Sequence, residues 1–355
     1  MKKIAIVGTA GIPACYGGFE TLAENLIKYS TDNCKYTVYC SGKIYSERKE
    51  SYNGACLQYI NLNANGIESI PYDIISLLKS RKFDIILILG VSGCIILPLL
   101  KLFTSAKIVT NIDGLEWKRD KWSKSAQFFL KFSERLAVKY SDVVIADNQK
   151  ITEYVKEQYN IVARTIPYGG DHVLRGKELN TNYKDHQGYF LTICRIEPEN
   201  NIDMILKAFS ETSLHIKFVG NWRANKYGQD LLSKYSEYKN IEMLDPIYDL
   251  DVLFSLRANC CGYVHGHSAG GTNPSLVEIM HFAKPVFAFD CSFNRYSTEN
   301  NCFYFSNAQD LSGKLLEESN NQNALERCAS AMYRLANQKY CWKGISKAYE
   351  DIYFE

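Results

Sequence analysis

The stretch GYVHGHSAGGTNPSLVEIMHFAKPVFAFDCSFNRY, residues 262–296, decides the fold. Residues 258–264 read as a strand, and a loop of small residues follows through Gly266, His267, Ser268, Ala269, Gly270, Gly271 and Thr272. Thr272 or Asn273 then caps a helix whose first position takes Pro274, where a missing N–H costs nothing. The helix is expected to run to about Ala283, with Lys284 and Pro285 stopping it before a strand at 286–289. Strand, glycine loop, helix and strand form the repeating unit of a parallel sheet. A glycine loop feeding a helix start aims backbone N–H groups and a positive dipole end at one spot, which suits a phosphate or diphosphate. Glu278 stands one turn beyond, within reach of a sugar or ribose hydroxyl of the same ligand, and His265 and His267 flank the loop. Such a loop also occurs where a helix merely needs a start; the histidines and Glu278 favour a ligand.

The same alternation extends outward in both directions. Upstream, residues 188–194, 215–220 and 241–244 read as strands, with helices at 201–210, 226–235 and 250–256. Downstream come a short strand at 302–305 and helices at 308–316, 323–336 and 339–353. The N-terminal half repeats the pattern, with strands at 3–8, 36–40, 56–62, 84–89, 107–111, 143–146 and 163–166. Its helices are expected at 18–29, 71–80, 93–103, 123–140 and 149–158. Most of these strands are apolar throughout, the mark of a sheet covered on both faces. Residues 167–187 are polar without periodicity and read as an interdomain linker. A chain of 355 residues is expected to divide into two domains of roughly 150–180 residues. The fold class is therefore α/β: two doubly wound, Rossmann-like domains, residues 1–170 and 171–335, facing each other across a cleft. Ligands in such sheets sit beyond the carboxyl ends of the strands. A last helical segment, 336–355, is expected to pack back on the first domain.

Composition excludes several classes. The chain is 46% hydrophobic and 23% charged, as in ordinary globular proteins. No run of about 20 apolar residues exists to span a bilayer, and the apolar strand that follows Met1-Lys2-Lys3 is not a signal peptide. The 12 cysteines are scattered without a C-x-x-C pair, which reads as reduced thiols in a cytoplasmic protein and suggests no metal site. Net charge is only +2, giving no case for nucleic acid. The charge is uneven: residues 1–170 hold 22 Lys+Arg against 16 Asp+Glu, and residues 101–139 hold nine against four. There Trp117, Lys118, Arg119, Asp120, Lys121, Trp122, Ser123 and Lys124 mix aromatics with cations. This is either a solvated helix end or a patch that rests on an anionic membrane surface.

Three further stretches carry chemistry. The loop GTAGIPACYGGFET, residues 8–21, resembles a dinucleotide fingerprint only superficially, because its glycine spacing is wrong and no acidic residue ends the second strand. Gly17 and Gly18 at the helix start allow a ligand or the opposite domain to approach the backbone. RIEPENN, residues 195–201, follows the first strand of the second domain, so Arg195 either clamps a diphosphate or pairs with Glu197 or Glu199. NIDGLEWKR, residues 111–119, ends a first-domain strand and places Asp113 at the cleft, unless its Asp-Gly is simply a turn. Asp249 and Asp251 have the D-x-D form that binds metal in some sugar transferases, but here they open a short helix and read as a cap.

Together these motifs resemble the retaining glycosyltransferases of the GT-B fold, family 4. More narrowly, the chain is similar to bacterial polysaccharide β-1,4-rhamnosyltransferases that begin with GTxGIPAxYGGFET and carry NIDGLEWKR, RIEPENN and YxHGHSxGGTNPSLxE; the matching residues are 8–21, 111–119, 195–201 and 263–278. The resemblance implies a nucleotide-sugar donor, dTDP-L-rhamnose, on the second domain. Arg195 and the backbone of Gly270, Gly271, Thr272 and Asn273 would hold the diphosphate, Glu278 the ribose, with His267, Gly17 and Gly18 lining the donor. The acceptor would be a sugar on a polyprenyl diphosphate carrier, met by the first domain at the cytoplasmic face of the membrane. Trp117, Lys118, Arg119, Lys121 and Trp122 would face that acceptor or membrane, and the chain would be a peripheral protein of surface-polysaccharide synthesis. The chain departs from the family at three places: Gly270 stands where an E-x7-E pair would begin, Asn200 where a lysine is usual, and Ala10 where the narrower family has arginine.

The implied reaction is hexosyl transfer with retention, using no cofactor and no metal. Arg195 and loop amides would stabilise the departing diphosphate. The departing oxygen would take the acceptor proton on the same face, and Asp113 would orient the acceptor hydroxyl or stabilise cationic character at the anomeric carbon. No second carboxylate is placed as a covalent nucleophile. Competing readings are a family 4 transferase using another UDP- or GDP-sugar, a nucleotide-sugar 2-epimerase of similar architecture, and a nucleotide-sugar-binding protein without transferase activity. A dinucleotide oxidoreductase is disfavoured by the glycine spacing.

Overall fold

The computed structural model describes residues 1–15, 17–112, 114–118, 122–177, 179 and 188–355, with Glu116 described by its backbone alone. The chain divides into two compact units: residues 1–168 with 342–355, and residues 169–341.

The first unit starts with β1 (Lys2–Val7), α1 (Gly18–Lys28), β2 (Cys34–Ser41), β3 (Ser51–Tyr52), β4 (Ala55–Ile60), α2 (Ser69–Lys79) and β5 (Ile85–Leu89). It continues with α3 (Leu97–Leu100), β6 (Lys107–Asn111), α4 (Lys124–Tyr140), β7 (Val143–Ala146), α5 (Gln149–Tyr159) and β8 (Arg164–Thr165). Its eight strands run β3-β4-β2-β1-β5-β6-β7-β8, all parallel except the β3–β4 pair. The order reverses between β1 and β5, so the loops after those two strands flank the topological switch point. Ile4, Ile6, Ile86, Leu87 and Ile108 are fully buried, as a sheet covered on both faces requires. Helix α1 buries Leu22, Ala23, Leu26 and Ile27, its expected apolar face.

Two expectations in this unit are corrected. The helix expected at 93–103 is a 3-10 turn at Cys94–Ile96 followed by the four-residue α3. Pro98 sits in the first turn of α3, where its fixed φ and missing N–H are tolerated, so the α-helix begins only at Leu97. The short β3 was not expected; it is a hairpin edge closed by Asn53 and Gly54, both at positive φ.

The second unit runs β9 (Tyr189–Ile193), α6 (Ile202–Ser210), β10 (His215–Val219), α7 (Lys226–Tyr235), β11 (Ile241–Leu244), α8 (Leu250–Asn259), β12 (Gly262–His265) and α9 (Pro274–Met280). It ends with β13 (Val286–Phe289), α10 (Ser292–Ser297), β14 (Phe303–Phe305), α11 (Ala308–Glu318) and α12 (Gln322–Lys339). The six strands are all parallel in the order β11-β10-β9-β12-β13-β14, and the switch point lies between β9 and β12. Phe190, Phe209 and Phe287 meet edge to face in its core, with ring centroids 5.6 and 5.7 Å apart. Asp249 caps α8 by accepting from the amides of Asp251 and Val252, which fits the capping reading of the D-x-D.

Helix α13 (Trp342–Phe354) returns to the first unit. Glu350 accepts from the Thr31 amide (2.7 Å) and hydroxyl (3.0 Å), Asn111 donates to the Tyr349 hydroxyl, and Trp342 packs on Tyr168 at 4.8 Å.

Candidate functional site

In the second unit the switch point brings two of the sequence motifs together. The loop after β9 carries Arg195–Asn201 as a 3-10 turn, Pro198–Asn200, with Asn201 in the left-handed region at φ 49°. The loop after β12 lies against it. Asn201 Nδ2 donates to the Gly266 carbonyl (2.8 Å), and Ser268 gives both its N–H and its hydroxyl to the Glu199 carbonyl (2.9 and 2.8 Å). A Cβ at Gly266 would stand 2.1 Å from the Asn200 carbonyl oxygen, so only glycine allows the approach.

Asn200 occupies the place where a lysine is usual, and it ties these loops together. Its Nδ2 donates to the Arg195 carbonyl (2.8 Å), which turns its Oδ1 to His267 Nδ1 at 2.8 Å. A backbone carbonyl only accepts, so this network fixes Asn200 Oδ1 as the acceptor and puts a proton on Nδ1 of His267. His267 is buried, and its own carbonyl accepts from Asn294 Nδ2 (2.8 Å) of the unexpected helix α10. The neighbouring His265 is buried, and its Nε2 has no hydrogen-bond partner among the described residues. Burial, then the nearby His267, holds its pKa well below the usual histidine range, so it stays neutral.

Asn273 caps α9, accepting from the Ser275 amide (3.0 Å), with Pro274 in the first turn. The helix ends at Met280, not Ala283, because Ala283 takes the left-handed conformation (φ 51°) before Lys284 and Pro285. At seven residues its dipole is modest, so the loop amides carry more of any anion binding than expected.

Glu278 lies on α9 with its side chain 13% exposed, and it is engaged on both oxygens. Arg257 Nη2 of α8 stands 2.5 Å from Oε2, and His172 Nε2 3.5 Å from Oε1. Sequence reasoning found neither partner. Arg257 sits on a helix with little amphipathic pattern, and His172 belongs to a 3-10 turn, Asp171–Leu174, within the segment read as a linker. Arg195 has its side chain 41% exposed and lies 3.9 Å from Glu197, a loose pairing.

One group of metal-ligand types occurs among the described residues: Asp171, His281 and Cys341, with candidate ligand atoms within 4.8 Å of one another. His281 Nε2 faces the Tyr340 carbonyl at 3.1 Å. The role this geometry supports is a hydrogen bond that joins α9 to the end of α12.

In the first unit, residues 9–14 fold onto the carboxylates of α1. Thr9 Oγ1 and the Ala10 amide both donate to Glu20 Oε1 (3.0 and 2.7 Å), and the Ala14 amide donates to Glu24 Oε2 (2.6 Å). Burial raises the Glu20 carboxyl above its usual pKa. Gly17 (φ 112°) precedes α1, which Gly18 opens; a Cβ on Gly17 would meet Glu20 at 2.5 Å. Trp117 lies under Lys131, 4.3 Å from its ring centroid, and under Lys118 at 5.4 Å. Trp122 precedes α4, and Asp113, Arg119 and Lys121 lie outside the described residues.

A family profile described as a domain of unknown function, DUF1972, matches residues 1–171. No curated protein matches the chain. Among solved structures, sucrose-phosphate synthase from Thermosynechococcus elongatus aligns over 99% of this chain and 98% of its own, with TM-score 0.80 and 13% identity. Anabaena Alr3699/HepE, solved in complex with UDP and glucose, aligns over 99% of both chains with TM-score 0.76 and 16% identity. A UDP-N-acetylglucosamine 2-epimerase, so titled provisionally, from Listeria monocytogenes aligns over 98% and 94%, with TM-score 0.63 and 13% identity. The fold is GT-B. At these identities the likeness establishes architecture alone, and that architecture hosts both transferases and an epimerase.

Proposed function

We propose that this protein is a retaining glycosyltransferase that moves L-rhamnose from dTDP-L-rhamnose to a sugar on a polyprenyl diphosphate carrier, in bacterial surface-polysaccharide synthesis. One observation carries the reading: the Asn200-centred lock between the Arg195–Asn201 motif and the 266–268 loop at the second unit's switch point. Its position beyond the strand ends supports Arg195, His267 and the amides of Gly270, Gly271, Thr272 and Asn273 as the diphosphate's partners. Glu278, held by Arg257, takes the ribose hydroxyls.

In this reading Arg195 and the loop amides receive the charge that develops on the departing diphosphate. The departing oxygen accepts the proton of the acceptor hydroxyl on the same face of the sugar, so configuration is retained. Asp113 orients that hydroxyl. The acceptor is lipid-linked and the enzyme peripheral; among the described residues no helix is long and apolar enough to cross a membrane.

Scanning fluorimetry against dTDP-, UDP- and GDP-sugars tests the donor, because a ligand that binds only the native state raises Tm. The expected result is a shift with dTDP-rhamnose that Arg195→Ala and Glu278→Ala both lose, with dTDP released once a lipid-linked acceptor is added. A shift confined to UDP- or GDP-sugars keeps the transferase and discards rhamnose. Isomerisation of a UDP-sugar without acceptor assigns the epimerase reading, and a shift without release under any acceptor assigns a binding protein.

A further inference from the structure

The basic, aromatic segment at 117–124 was the candidate membrane contact, yet Trp117 is occupied beneath two lysines. A more complete surface lies next to it. Helix α4 buries Leu130, Ser133, Glu134, Ala137 and Val138 against the first unit. Its opposite face exposes Lys124, Phe128, Lys131, Phe132, Arg135 and Lys139. At 3.6 residues per turn these six fall within an arc of about 100°. Phe128 is 75% and Phe132 44% exposed, although nothing in the helix's own folding requires aromatic residues there. The α4 carboxylate, Glu134, points inward and accepts from the hydroxyls of Tyr154 (2.7 Å) and Tyr159 (2.6 Å).

The 3-10 turn and helix α3 pack against α4 and extend the same character. Leu102 is 74% and Phe103 67% exposed, and residues 85–112 contain no Asp or Glu. Asp142, the nearby acid, is spent on Lys101 at 2.7 Å. Large exposed apolar side chains interleaved with cations, with Asp142 paired to Lys101 as the exposed carboxylate beside them among the described residues, match an element that lies in an anionic lipid interface. A protein partner fits less well, because the centres of protein interfaces are depleted in lysine.

We infer that the α3–α4 face of the first unit is the surface that rests on an anionic bilayer, with Phe128, Phe132, Leu102 and Phe103 entering the interface and Lys124, Arg135 and Lys139 meeting the headgroups. This deepens the membrane reading above and moves the contact from Trp117 and Trp122 to α4 and the turn after α3 that carries Leu102 and Phe103.

The test is co-sedimentation of the full chain with vesicles of phosphatidylcholine alone or mixed with phosphatidylglycerol, across a salt series. The wild type is expected to bind the mixed vesicles only, and less as salt rises. Phe128→Ser/Phe132→Ser should lower partitioning about tenfold or more, with Tm unchanged because both side chains are exposed. Lys124→Gln/Lys139→Gln should chiefly flatten the salt dependence. Failure of the wild type to bind the mixed vesicles, or equal binding by the Phe double variant, overturns the inference. So does a concentration-dependent dimer abolished by the Phe variant, which would make the face a contact between two copies. The transferase reading is separable: vesicle binding without any nucleotide-sugar shift sinks that reading and leaves the surface standing, and the reverse result does the opposite.

Discussion

The switch points of the two units are built from the same parts, a strand end and a glycine-containing loop, but one set of loops is tied down by neutral groups and the other by carboxylates. In the second unit the loops are held by neutral amides and carbonyls through Asn200, Asn201 and Ser268, and a half-exposed cation, Arg195, stands there beside Glu197. In the first unit the amides of Ala10 and Ala14 are consumed by Glu20 and Glu24, and the loop after β5 has Asp73 buried behind it, against Gly93. An anion entering the first site would displace carboxylates from their amides; at the second it meets a cation. On the proposed reading, this difference favours the second unit for the diphosphate, although both sheets offer the same crevice.

Each prediction attacks that contrast. The largest effect belongs to Arg195→Ala, which should cost about 100- to 1,000-fold in kcat with dTDP-sugar while leaving Tm of the unliganded protein unchanged; normal turnover would remove the cation from the argument. Gly266→Ala should come next. Its Cβ has nowhere to go beside Asn200, so destabilisation of about 2–4 kcal/mol in urea melts and loss of the donor-induced Tm shift are expected together.

The first unit is tested through Asp73, whose burial pushes its pKa from the ordinary 3.8 up to about 7. A carboxyl raised on folding contributes stability that is fully present below about pH 4 and lost as pH rises through 7. Asp73→Asn should therefore flatten a decline of about 2–4 kcal/mol over that window without altering donor binding. Equal slopes in wild type and variant would show that the carboxyl is solvated. The smallest effect is expected of Arg257→Lys, which keeps the charge beside Glu278 but loses the planar fork: roughly a three- to tenfold rise in donor KM at unchanged kcat. A fall in kcat alone would mean that Glu278 acts in the chemistry and not in ribose binding.

The sequence was most informative where local pattern and fold agree. The apolar strands, the Asn273-Pro274 helix start and the Asp249 cap follow from nearest-neighbour chemistry, and the structure has them. What could not be read depends on meetings between distant segments. Arg257 and Glu278 are 21 positions apart on different helices, and nothing local marks the arginine as a partner. Asn200 looked like a lost lysine because its function lies in bracing its own loop at Arg195 while reaching His267 on a distant one. Phe128 and Phe132 passed for ordinary helix residues, since exposure is decided by which face of α4 meets the sheet.

The closing helix α13 has a consequence for biosynthesis. The first unit needs Trp342, Tyr349 and Tyr353 buried in it and Glu350 on Thr31, yet these residues leave the ribosome after the whole second unit. Residues 1–168 must therefore wait with an uncovered apolar face while 169–341 are made, a state open to aggregation and to chaperones. An expression fragment cut at residue 171, where the family match ends, would keep that vacancy permanently.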